Sequence, residues 1–467
     1  MVKCLKSCLW SIQVPPKYNL LPSVDKLLTE PKIKHLIHSY SRKSILTLIR
    51  EHLDELRHII SSGSKIPCTN QIIESLINEA NMIWKAWPTN VINATGVIIH
   101  TNLGRAPLSI EAKRAVLDTM TGYTDLEMDV IDGKRGSRQT HIKRLLKQLT
   151  GSEEALVVNN NASALLLGLT ALAKGGEVII SRGEAVEIGG GFRIPDLLLQ
   201  SGASLVEVGT TNRTYMEDYE NAITEKTKAF LKVHTSNFKV IGFTHSVETT
   251  DLVKLGQKHS IPVLHDLGSG CFIETSDYGL IHEITPQEIL QSGADLVFFS
   301  GDKLLGGPQS GIILGRKHLV NSLSKHPLSR AIRIDKLNLS ALSATLLHYI
   351  ADEATTKIPI WQMISASEQA IKTRARQWQK QIGSKSSIIS THSTIGGGSL
   401  PTEILPTWAI SLNHDKLFNE PHELTAKLRL NNPPIIGRIE KGQVILDPRT
   451  VLPHEDDDLI NGILDIL

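Results

Sequence analysis

The spacing of apolar residues divides the chain into a helical first part and a second part in which strands and helices alternate. Over residues 23–60 apolar side chains recur three and four positions apart, which is typical of amphipathic helices. The same spacing continues over residues 71–84 and stops before Pro88. The pattern predicts a helical domain over residues 1–66 and a linker helix within residues 67–90.

Short apolar runs alternate with helix-like stretches after residue 90. Strands are predicted at residues 155–158, 178–180, 205–208, 229–233, 263–264 and 296–299. Helices are predicted between them at residues 135–149, 162–173, 190–200, 218–224 and 249–259. This alternation indicates a mostly parallel sheet with helices on both faces over residues 91–335, and ligands at the carboxyl ends of its strands.

The pattern changes again after residue 335. Helices are predicted at residues 339–351 and 363–381, followed by strands near residue 404 and at residues 408–412, 436–440 and 443–446, and by a closing helix from Asp456. Residues 336–467 are therefore expected to form a separate small α+β domain.

Composition and charge exclude several classes of protein. The 467 residues are 41% hydrophobic and 21% charged, as in an ordinary globular protein, and the net charge of +2 does not indicate a general nucleic-acid binder. The four cysteines form no Cys-x-x-Cys pair, so we expect no metal site and a reducing, cytoplasmic environment. No apolar run approaches the roughly 20 residues of a membrane span, so no membrane association is expected.

One lysine stands where a strand is expected to end in a polar turn. The apolar residues 296–299 are followed by Ser300 and Lys303 and then by a pair of glycines. A lysine in such a turn can lose its hydration, which lowers its pKa and lets its amine attack an aldehyde. Taken alone, this stretch fits a solvated lysine in a surface turn equally well.

A second strand is expected to end in an acid. Asp266 follows the apolar residues 263–264 and precedes small residues. Pyridoxal 5'-phosphate needs a carboxylate against its pyridine nitrogen, because only the protonated ring withdraws electrons strongly. Asp266 and Lys303 together predict this cofactor, carried as a Schiff base on Lys303, although Asp266 alone fits an ordinary capping or turn residue.

Three asparagines, residues 159–161, follow a predicted strand and open an apolar helix. The free N–H groups at a helix N-terminus attract anions, and a small residue such as Ala162 lets a phosphate come close. We therefore expect Asn160, Asn161, Ala162 and Ser300 at the phosphate of the cofactor. An asparagine-rich cap without a ligand is the alternative.

Two other features carry weaker signals. His234 follows the predicted strand at residues 229–233 and is a candidate for stacking on the pyridine ring. Glycine runs at residues 189–191 and 396–398 lack the pattern of a nucleotide phosphate loop, so we expect them to be turns.

Several stretches of the chain resemble the bacterial selenocysteine synthases. The resembling stretches are residues 93–108, 187–196, 300–309, 393–401 and 446–451, within a match that runs from about Leu21 to the C-terminus. Residues 1–20 have no clear counterpart. The resemblance implies a fold-type-I, aspartate-aminotransferase-like enzyme that depends on pyridoxal 5'-phosphate. It would have a three-layer αβα large domain, a small α+β C-terminal domain and an N-terminal helical domain.

The resemblance also implies an activity and a set of site residues. Members of this family convert L-seryl-tRNA(Sec) to L-selenocysteinyl-tRNA(Sec) with selenophosphate, through an aminoacrylyl-tRNA intermediate. The family's lysine maps onto Lys303, its active-site aspartate onto Asp302, and the arginines of its selenophosphate site onto Arg105, Arg330 and Arg333. A homodecamer is implied, a ring of dimers with active sites at the dimer interfaces, in which the N-terminal helical domain binds the tRNA.

Two other functions fit parts of the sequence. A pyridoxal-phosphate lyase, acting by β-elimination or ammonia loss on a small amino acid or an amino-sugar phosphate, would share the catalytic core but would generally lack the N-terminal helices. A non-catalytic tRNA-binding protein could have kept only the fold, although Lys303, Asp266 and the arginines speak against it. From composition alone, the N-terminal helices fit an oligomerisation domain as well as tRNA binding, and residues 329–333 fit a solvated basic turn.

Overall fold

The computed structural model describes residues 21–62, 64–189, 191–412 and 420–467. Residues 1–20, with Cys4 and Cys8 among them, lie outside the described residues, as does Gly190, where one helix was expected to begin. The chain divides into two compact units, one ending at Asn90 and the other spanning Val91–Leu467. None of the helices in the described ranges is long and apolar enough to cross a membrane.

The described part of the first unit is built from α1 (Val24–Thr29), α2 (Pro31–Ser39), α3 (Arg42–Ser61) and α4 (Thr69–Ile83). The side chains of Ser23 and Ser41 cap α1 and α3 by accepting hydrogen bonds from the backbone N–H groups of Lys26 and Ser44. All four helices share one apolar core, which includes Leu27, Ile33, Ile49 and Leu76. The helix expected as a linker, α4, therefore packs within this bundle.

The second unit contains strands and helices in alternation. Its strands are β1 (Ile92–Asn93), β2 (Met128–Asp129), β3 (Lys134–Arg135), β4 (Glu154–Val158), β5 (Glu177–Ser181), β6 (Glu187–Gly189), β7 (Phe192–Arg193), β8 (Ser204–Val208), β9 (Thr227–Val233), β10 (Val263–Gly268), β11 (Leu296–Ser300), β12 (Gly311–Gly315), β13 (Ser386–Thr394), β14 (Ile404–Leu412), β15 (Ile435–Ile436), β16 (Arg438–Glu440) and β17 (Gln443–Leu446). Its helices are α5 (Ile110–Met120), α6 (Thr140–Thr150), α7 (Asn161–Ala173), α8 (Ile194–Ser201), α9 (Met216–Asn221), α10 (Thr249–His259), α11 (Pro286–Gln291), α12 (Lys317–Lys325), α13 (Pro327–Ala331), α14 (Lys336–Ile350), α15 (Ala354–Lys357), α16 (Pro359–Ser365), α17 (Glu368–Ile382), α18 (Pro421–Arg429) and α19 (Asp456–Leu464).

A seven-stranded sheet in the order β4-β12-β11-β10-β9-β5-β8 forms the centre of this unit. Within it β12 runs antiparallel to both of its neighbours, and the other paired strands are parallel. Successive side chains of a strand point to opposite faces. Val158 and Phe298 accordingly enter a core with residues of α7 and α8, whereas Val157 and Phe299 enter another with residues of α6 and α14. The result is the expected three-layer αβα arrangement.

The C-terminal part forms a four-stranded antiparallel sheet in the order β13-β14-β17-β16. Two segments cross the expected boundary at residue 336. Ile92 of β1 pairs in parallel with Ile435 of β15, and Leu342 and Leu346 of α14 join the apolar core beneath the large sheet. The division into large and small domains at this residue stays a prediction.

Local differences from the sequence-based elements have identifiable causes. The helix expected from Arg135 begins at Thr140, because Arg135 belongs to a hairpin in which β2 pairs with β3. The helix expected over residues 363–381 is two helices, since Ala366 is extended and Ser367 caps α17. Among the strands of the seven-stranded and four-stranded sheets, two were not predicted: β12 is short and follows a glycine-rich turn, and β13 is largely polar.

Candidate active site

The carboxyl ends of three adjacent strands bring the predicted acid and amine to one edge of the sheet. In the strand register, Asp266 of β10 lies opposite Val233 of β9 and Phe298 of β11. His234 directly follows β9, and the turn that carries Lys303 directly follows β11. The parallel strands therefore present all three functional side chains from the same edge, where ligands of α/β sheets bind.

A cavity of about 600 Å³ lies at this edge. Nine of the eleven residues predicted for the site line it, namely Lys303, Asp302, Arg105, Asp266, Asn160, Asn161, Ala162, Ser300 and His234. Arg330 and Arg333 are not among the lining residues. The fold thus gathers the predicted cofactor residues from β4, β9, β10 and β11 around one space.

Asp266 is the acid of this cavity and is only 2% exposed. Its Oδ1 accepts hydrogen bonds from Asn161 Nδ2 at 2.8 Å and from the backbone N–H of Gly268 at 3.1 Å. Burial raises the pKa of Asp266, and the hydrogen bond from Asn161 and the charge of Lys303 oppose that rise. The carboxylate is therefore fixed in orientation and suited to bind a cationic group.

Lys303 is equally enclosed, at 4% exposure. Its Nζ donates a long hydrogen bond of 3.4 Å to the carbonyl oxygen of Gly398. Burial lowers the pKa of Lys303, with the charge of Asp266 opposing and that of Arg105 adding to the effect. A desolvated amine that deprotonates more readily is suited to attack a carbonyl carbon.

The start of α7 forms another wall of the cavity. The side chain of Asn160 caps the helix, because its Oδ1 accepts the backbone N–H of Ser163 at 2.9 Å. The side chain of Asn161 turns to Asp266 instead of to the helix terminus. The N–H groups of the first helical turn have no acceptor within the helix. The backbone, and not the asparagine side chains, is thus the part of this segment suited to a phosphate.

Arg105 and Asp302 form an ion pair at the cavity wall, with 2.7 Å between Arg105 Nη1 and Asp302 Oδ2. Asp302 is 7% exposed, and the Arg105 side chain is about one-third exposed. Arg105 has φ of +64°, in the left-handed region that residues other than glycine rarely adopt. The ion pair and the backbone conformation together fix the direction of this guanidinium.

Arg330 and Arg333 lie apart from that pair and are both exposed. Arg330 is on the short helix α13, and Arg333 follows it and forms a backbone bridge with Val158. The Nη1 of Arg333 lies 3.5 Å from Oε1 of Glu127. A single chain therefore does not bring these two arginines into the cavity with Arg105.

His234 lines the cavity beside Asp266. Its backbone N–H donates to the carbonyl oxygen of Asp266 at 2.8 Å. Its imidazole Nε2 lies 3.6 Å from Oε1 of Glu283, a carboxylate that the sequence did not single out. The backbone bond ties the position of His234 to the strand that carries the acid.

Further residues of the cavity were not predicted as site residues; they are Thr101, Asn102, Leu165, Val233, Ser236, Gly268, Gln309, Gly397 and Gly398. The last two glycines belong to the run expected to be a simple turn, but Gly396, Gly397 and Gly398 all have positive φ and the run closes over Lys303. Ser236 follows a strand end by three residues, which is a signal that could have been found. The approach of Gly398 to Lys303 joins residues far apart in the chain and leaves no local signal.

The described residues fit pyridoxal 5'-phosphate on several counts. A buried amine and a buried carboxylate face one cavity, and a helix N-terminus lies in its wall. The Oδ1 of Asn161 is buried without a hydrogen-bond partner among the described residues, so the cavity wall holds an unused acceptor. These features meet the demands of an aldehyde, a protonated pyridine ring and a phosphate.

Comparison with known proteins gives a consistent set of relatives. Residues 91–452 match the family model described as L-seryl-tRNA selenium transferase, and residues 20–57 match the one described as selenocysteine synthase N terminal. The L-seryl-tRNA(Sec) selenium transferase of Carboxydothermus hydrogenoformans is 47% identical over 444 residues, covering 94% of this chain and 95% of that protein. The enzyme of the same name from Alkaliphilus oremlandii is 44% identical over 462 residues, covering 96% and 98%.

Solved structures show likeness at the level of the fold. D-Glucosaminate-6-phosphate ammonia-lyase superposes with a TM-score of 0.59 at 21% identity, covering 83% of this chain and 98% of that one. At that identity the likeness concerns the fold alone. Together with the three-layer topology it confirms the expected fold class.

Proposed function

The chain belongs to the L-seryl-tRNA selenium transferase family, and from that premise we propose that it converts L-seryl-tRNA(Sec) to L-selenocysteinyl-tRNA(Sec) with selenophosphate as the selenium donor. The observation that carries the proposal is the pair of buried groups, Lys303 and Asp266, which lie in one cavity at the ends of adjacent strands. The similarity of the chain to these transferases gives the pair its meaning. Because its substrate is an aminoacylated tRNA, we place the reaction in the cytoplasm.

Pyridoxal 5'-phosphate is the cofactor that these residues suit. When bound, it supplies an electron sink that stabilises negative charge at the α-carbon of an attached amino acid. Lys303 would hold it through its aldehyde carbon, and Asp266 would keep a proton on its pyridine nitrogen. The first turn of α7, at Asn161 and Ala162, would hold its phosphate together with Ser300. His234 would lie against its ring.

Loss of the serine hydroxyl requires a proton to leave the α-carbon and a proton to reach the departing oxygen. Lys303 is the buried group suited to take the proton from the α-carbon, because burial favours its neutral amine. The closed surroundings of the amine, only 4% exposed, exclude water that would compete with a selenium donor.

Selenophosphate carries several negative charges, and arginine suits such an anion because its planar fork pairs with two oxygens. Arg105 lies at the cavity with Asp302 directing it. Arg330 and Arg333 are exposed and lie outside the cavity of their own chain. We propose that they complete the site across a dimer interface, within the homodecamer that the family resemblance implies.

The first unit is the proposed tRNA-binding part. Lys26, Lys34, Arg42, Lys43 and Arg50 are exposed, and within the described ranges no ion pair engages them. Exposed and unpaired cations are the groups that neutralise a phosphate backbone. This arrangement favours tRNA binding over a purely structural role.

Borohydride reduction followed by peptide mapping tests the proposal. The holoenzyme is reduced with the cofactor bound, and we expect the cofactor on the peptide that contains Lys303. The Lys303→Ala variant should lose turnover of seryl-tRNA(Sec) and still bind the tRNA. Labelling of another lysine would refute the assignment of Lys303.

A substrate panel separates the proposed transferase from a lyase. Seryl-tRNA(Sec), free serine and an amino-sugar phosphate are each added to the holoenzyme, and the near-visible absorption of the cofactor is followed. We expect a change with seryl-tRNA(Sec) alone. A response to free serine or the sugar phosphate but not to the tRNA would favour the lyase.

A further inference from the structure

A buried carboxylate beside the cavity has no part in the chemistry described above. Glu283 is 3% exposed and lies in the loop between β10 and α11. Its Oε1 has no hydrogen-bond partner in the described part of the chain. Thr275 fixes the loop around it, because its hydroxyl accepts the backbone N–H of Glu283 and donates to the carbonyl oxygen of Ile281.

The charges around Glu283 are unequal in number. Asp266, Glu283 and Asp302 are buried acids, whereas Lys303 and Arg105 are the basic groups assigned to the same site. Arg105 is already paired with Asp302. Lys303 therefore remains for two carboxylates in the cofactor-free site, and with the cofactor bound Asp266 is assigned to the pyridine nitrogen. The buried Oε1 of Glu283, which has no hydrogen-bond partner among the described residues, therefore still needs a donor.

His234 is the group placed to supply that donor. Its Nε2 lies 3.6 Å from Oε1 of Glu283, just beyond hydrogen-bond distance, and its side chain is 22% exposed toward the cavity. Cys271, whose pKa the charge of Glu283 also raises, does not take this role, since its Sγ donates to the carbonyl oxygen of Ile273 at 3.1 Å. A small rotation of either side chain would complete an Nε2–H to carboxylate hydrogen bond.

We propose that Glu283 is a positioning residue that holds the imidazole of His234 in the wall of the cofactor cavity through its Nε2–H. The proposal rests on the cofactor site proposed above. Glu283 stands behind His234 and does not line the cavity itself. A carboxylate in that place fixes which imidazole nitrogen carries the proton and keeps the ring from turning when the substrate enters.

Cofactor retention in the Glu283→Gln variant tests this role. Glutamine keeps the shape of the side chain and removes its charge. Dissociation of pyridoxal 5'-phosphate from the folded holoenzyme is followed through its near-visible absorption, and we expect about tenfold weaker binding than in the wild type. The pH dependence of the absorption should also shift, which a merely structural glutamate would not cause.

Glu274→Gln is the matched control. Glu274 lies on the same loop and also contacts a histidine, with 2.8 Å to His282 Nδ1, but it is exposed and does not line the cavity. Cofactor retention in this variant should equal that of the wild type. If Glu283→Gln behaves like Glu274→Gln, the positioning role is refuted.

The His234→Asn variant examines the same pair without changing the loop. If the two residues act through each other, the double variant His234→Asn/Glu283→Gln should retain the cofactor no less well than His234→Asn alone. If the losses of cofactor affinity in the two single variants add up in the double variant, the inference is overturned. If Glu283→Gln does not fold, His234→Asn alone still tests the inference, because this variant must weaken cofactor retention at least tenfold. A wild-type protein that takes up no cofactor at all would instead refute the proposed function.

Discussion

Asn161 Nδ2 lies 2.8 Å from Asp266 Oδ1 and donates a hydrogen bond to it, which ties the first turn of α7 to the end of β10. The two residues are 105 positions apart in the chain. This bond directs one oxygen of the acid and partly offsets the rise in its pKa that burial causes.

Replacing Asn161 by alanine should therefore weaken cofactor binding. A hydrogen bond to a charged group contributes roughly 1.5 kcal/mol, which corresponds to about tenfold in the dissociation constant. Without Asn161 the pKa of Asp266 would rise further, so the loss should be greatest at low pH. Equilibrium dialysis of the cofactor across a pH series checks both statements. Asn160→Ala is the comparison, since loss of its cap should lower the free energy of unfolding by about 1 kcal/mol.

Lys303→Met should change how stability depends on pH. The pKa of Lys303 is lowered by burial from its ordinary 10.5, so between the two values the unfolded chain binds more protons than the folded one. Stability from this group rises with pH through that window and is lost as pH falls through the folded pKa. Lowering the pKa by one changes the free energy of unfolding by about 1.4 kcal/mol.

Urea unfolding of the cofactor-free protein measures this difference. The free energy of unfolding of the wild type, relative to Lys303→Met, should increase with pH over the range just below 10.5. A difference that stays constant over this range would contradict the burial of a lysine with a lowered pKa.

Arg105→Gly and Arg105→Ala should differ in stability but not in activity. Both lose the guanidinium at the cavity, so both should lose selenium transfer. The alanine keeps a side chain at φ of +64°, whereas glycine adopts this conformation freely. We expect the glycine variant to be about 1 kcal/mol more stable to urea than the alanine variant. Equal stabilities would show that the backbone relaxes at this position.

Gly397→Ala should be more harmful than the same change at Gly442. Both residues have positive φ, but a Cβ at Gly397 would lie 2.6 Å from the carbonyl oxygen of Ile99, whereas one at Gly442 meets no atom within 4 Å. The strained conformation alone costs roughly 1 kcal/mol, and overpacking adds about 2 kcal/mol at Gly397. Thermal unfolding compares the two variants, and borohydride labelling of Lys303 should fall only in Gly397→Ala, because Gly398 contacts that lysine.

Arg50→Ala should weaken tRNA binding in a salt-dependent manner. If Arg50 contacts one phosphate, the slope of log affinity against log salt should fall in magnitude by about 1. Lys380→Ala, at an exposed position on α17, is the control and should leave the slope unchanged. Identical slopes in both variants would exclude a phosphate contact at Arg50.

Local patterns in the sequence were enough to predict Asp266 and Lys303, because each follows an apolar strand and parallel strands end at a common edge. The same patterns could not show that Asn161 turns to Asp266 and that Asn160 caps α7, since side-chain direction depends on packing between distant segments. Arg330 and Arg333 were predicted from the family resemblance, which implies a site shared between chains of an oligomer. In the single chain both arginines are exposed. Gly398 lines the cavity and Glu283 lies behind His234, and the sequences of the loops that carry them give no local sign of this.

The pairing of Ile92 with Ile435 has a consequence for how the protein is made. The helices before Asn90 contact one another within a short stretch of chain, so they can fold soon after leaving the ribosome. The second unit cannot close β1 against β15 until almost the whole chain has been translated. A nascent chain therefore carries a folded helical bundle for most of its synthesis while the second unit still lacks the partner strand of β1. Truncation shortly before Ile435 should leave that unit open to proteolysis.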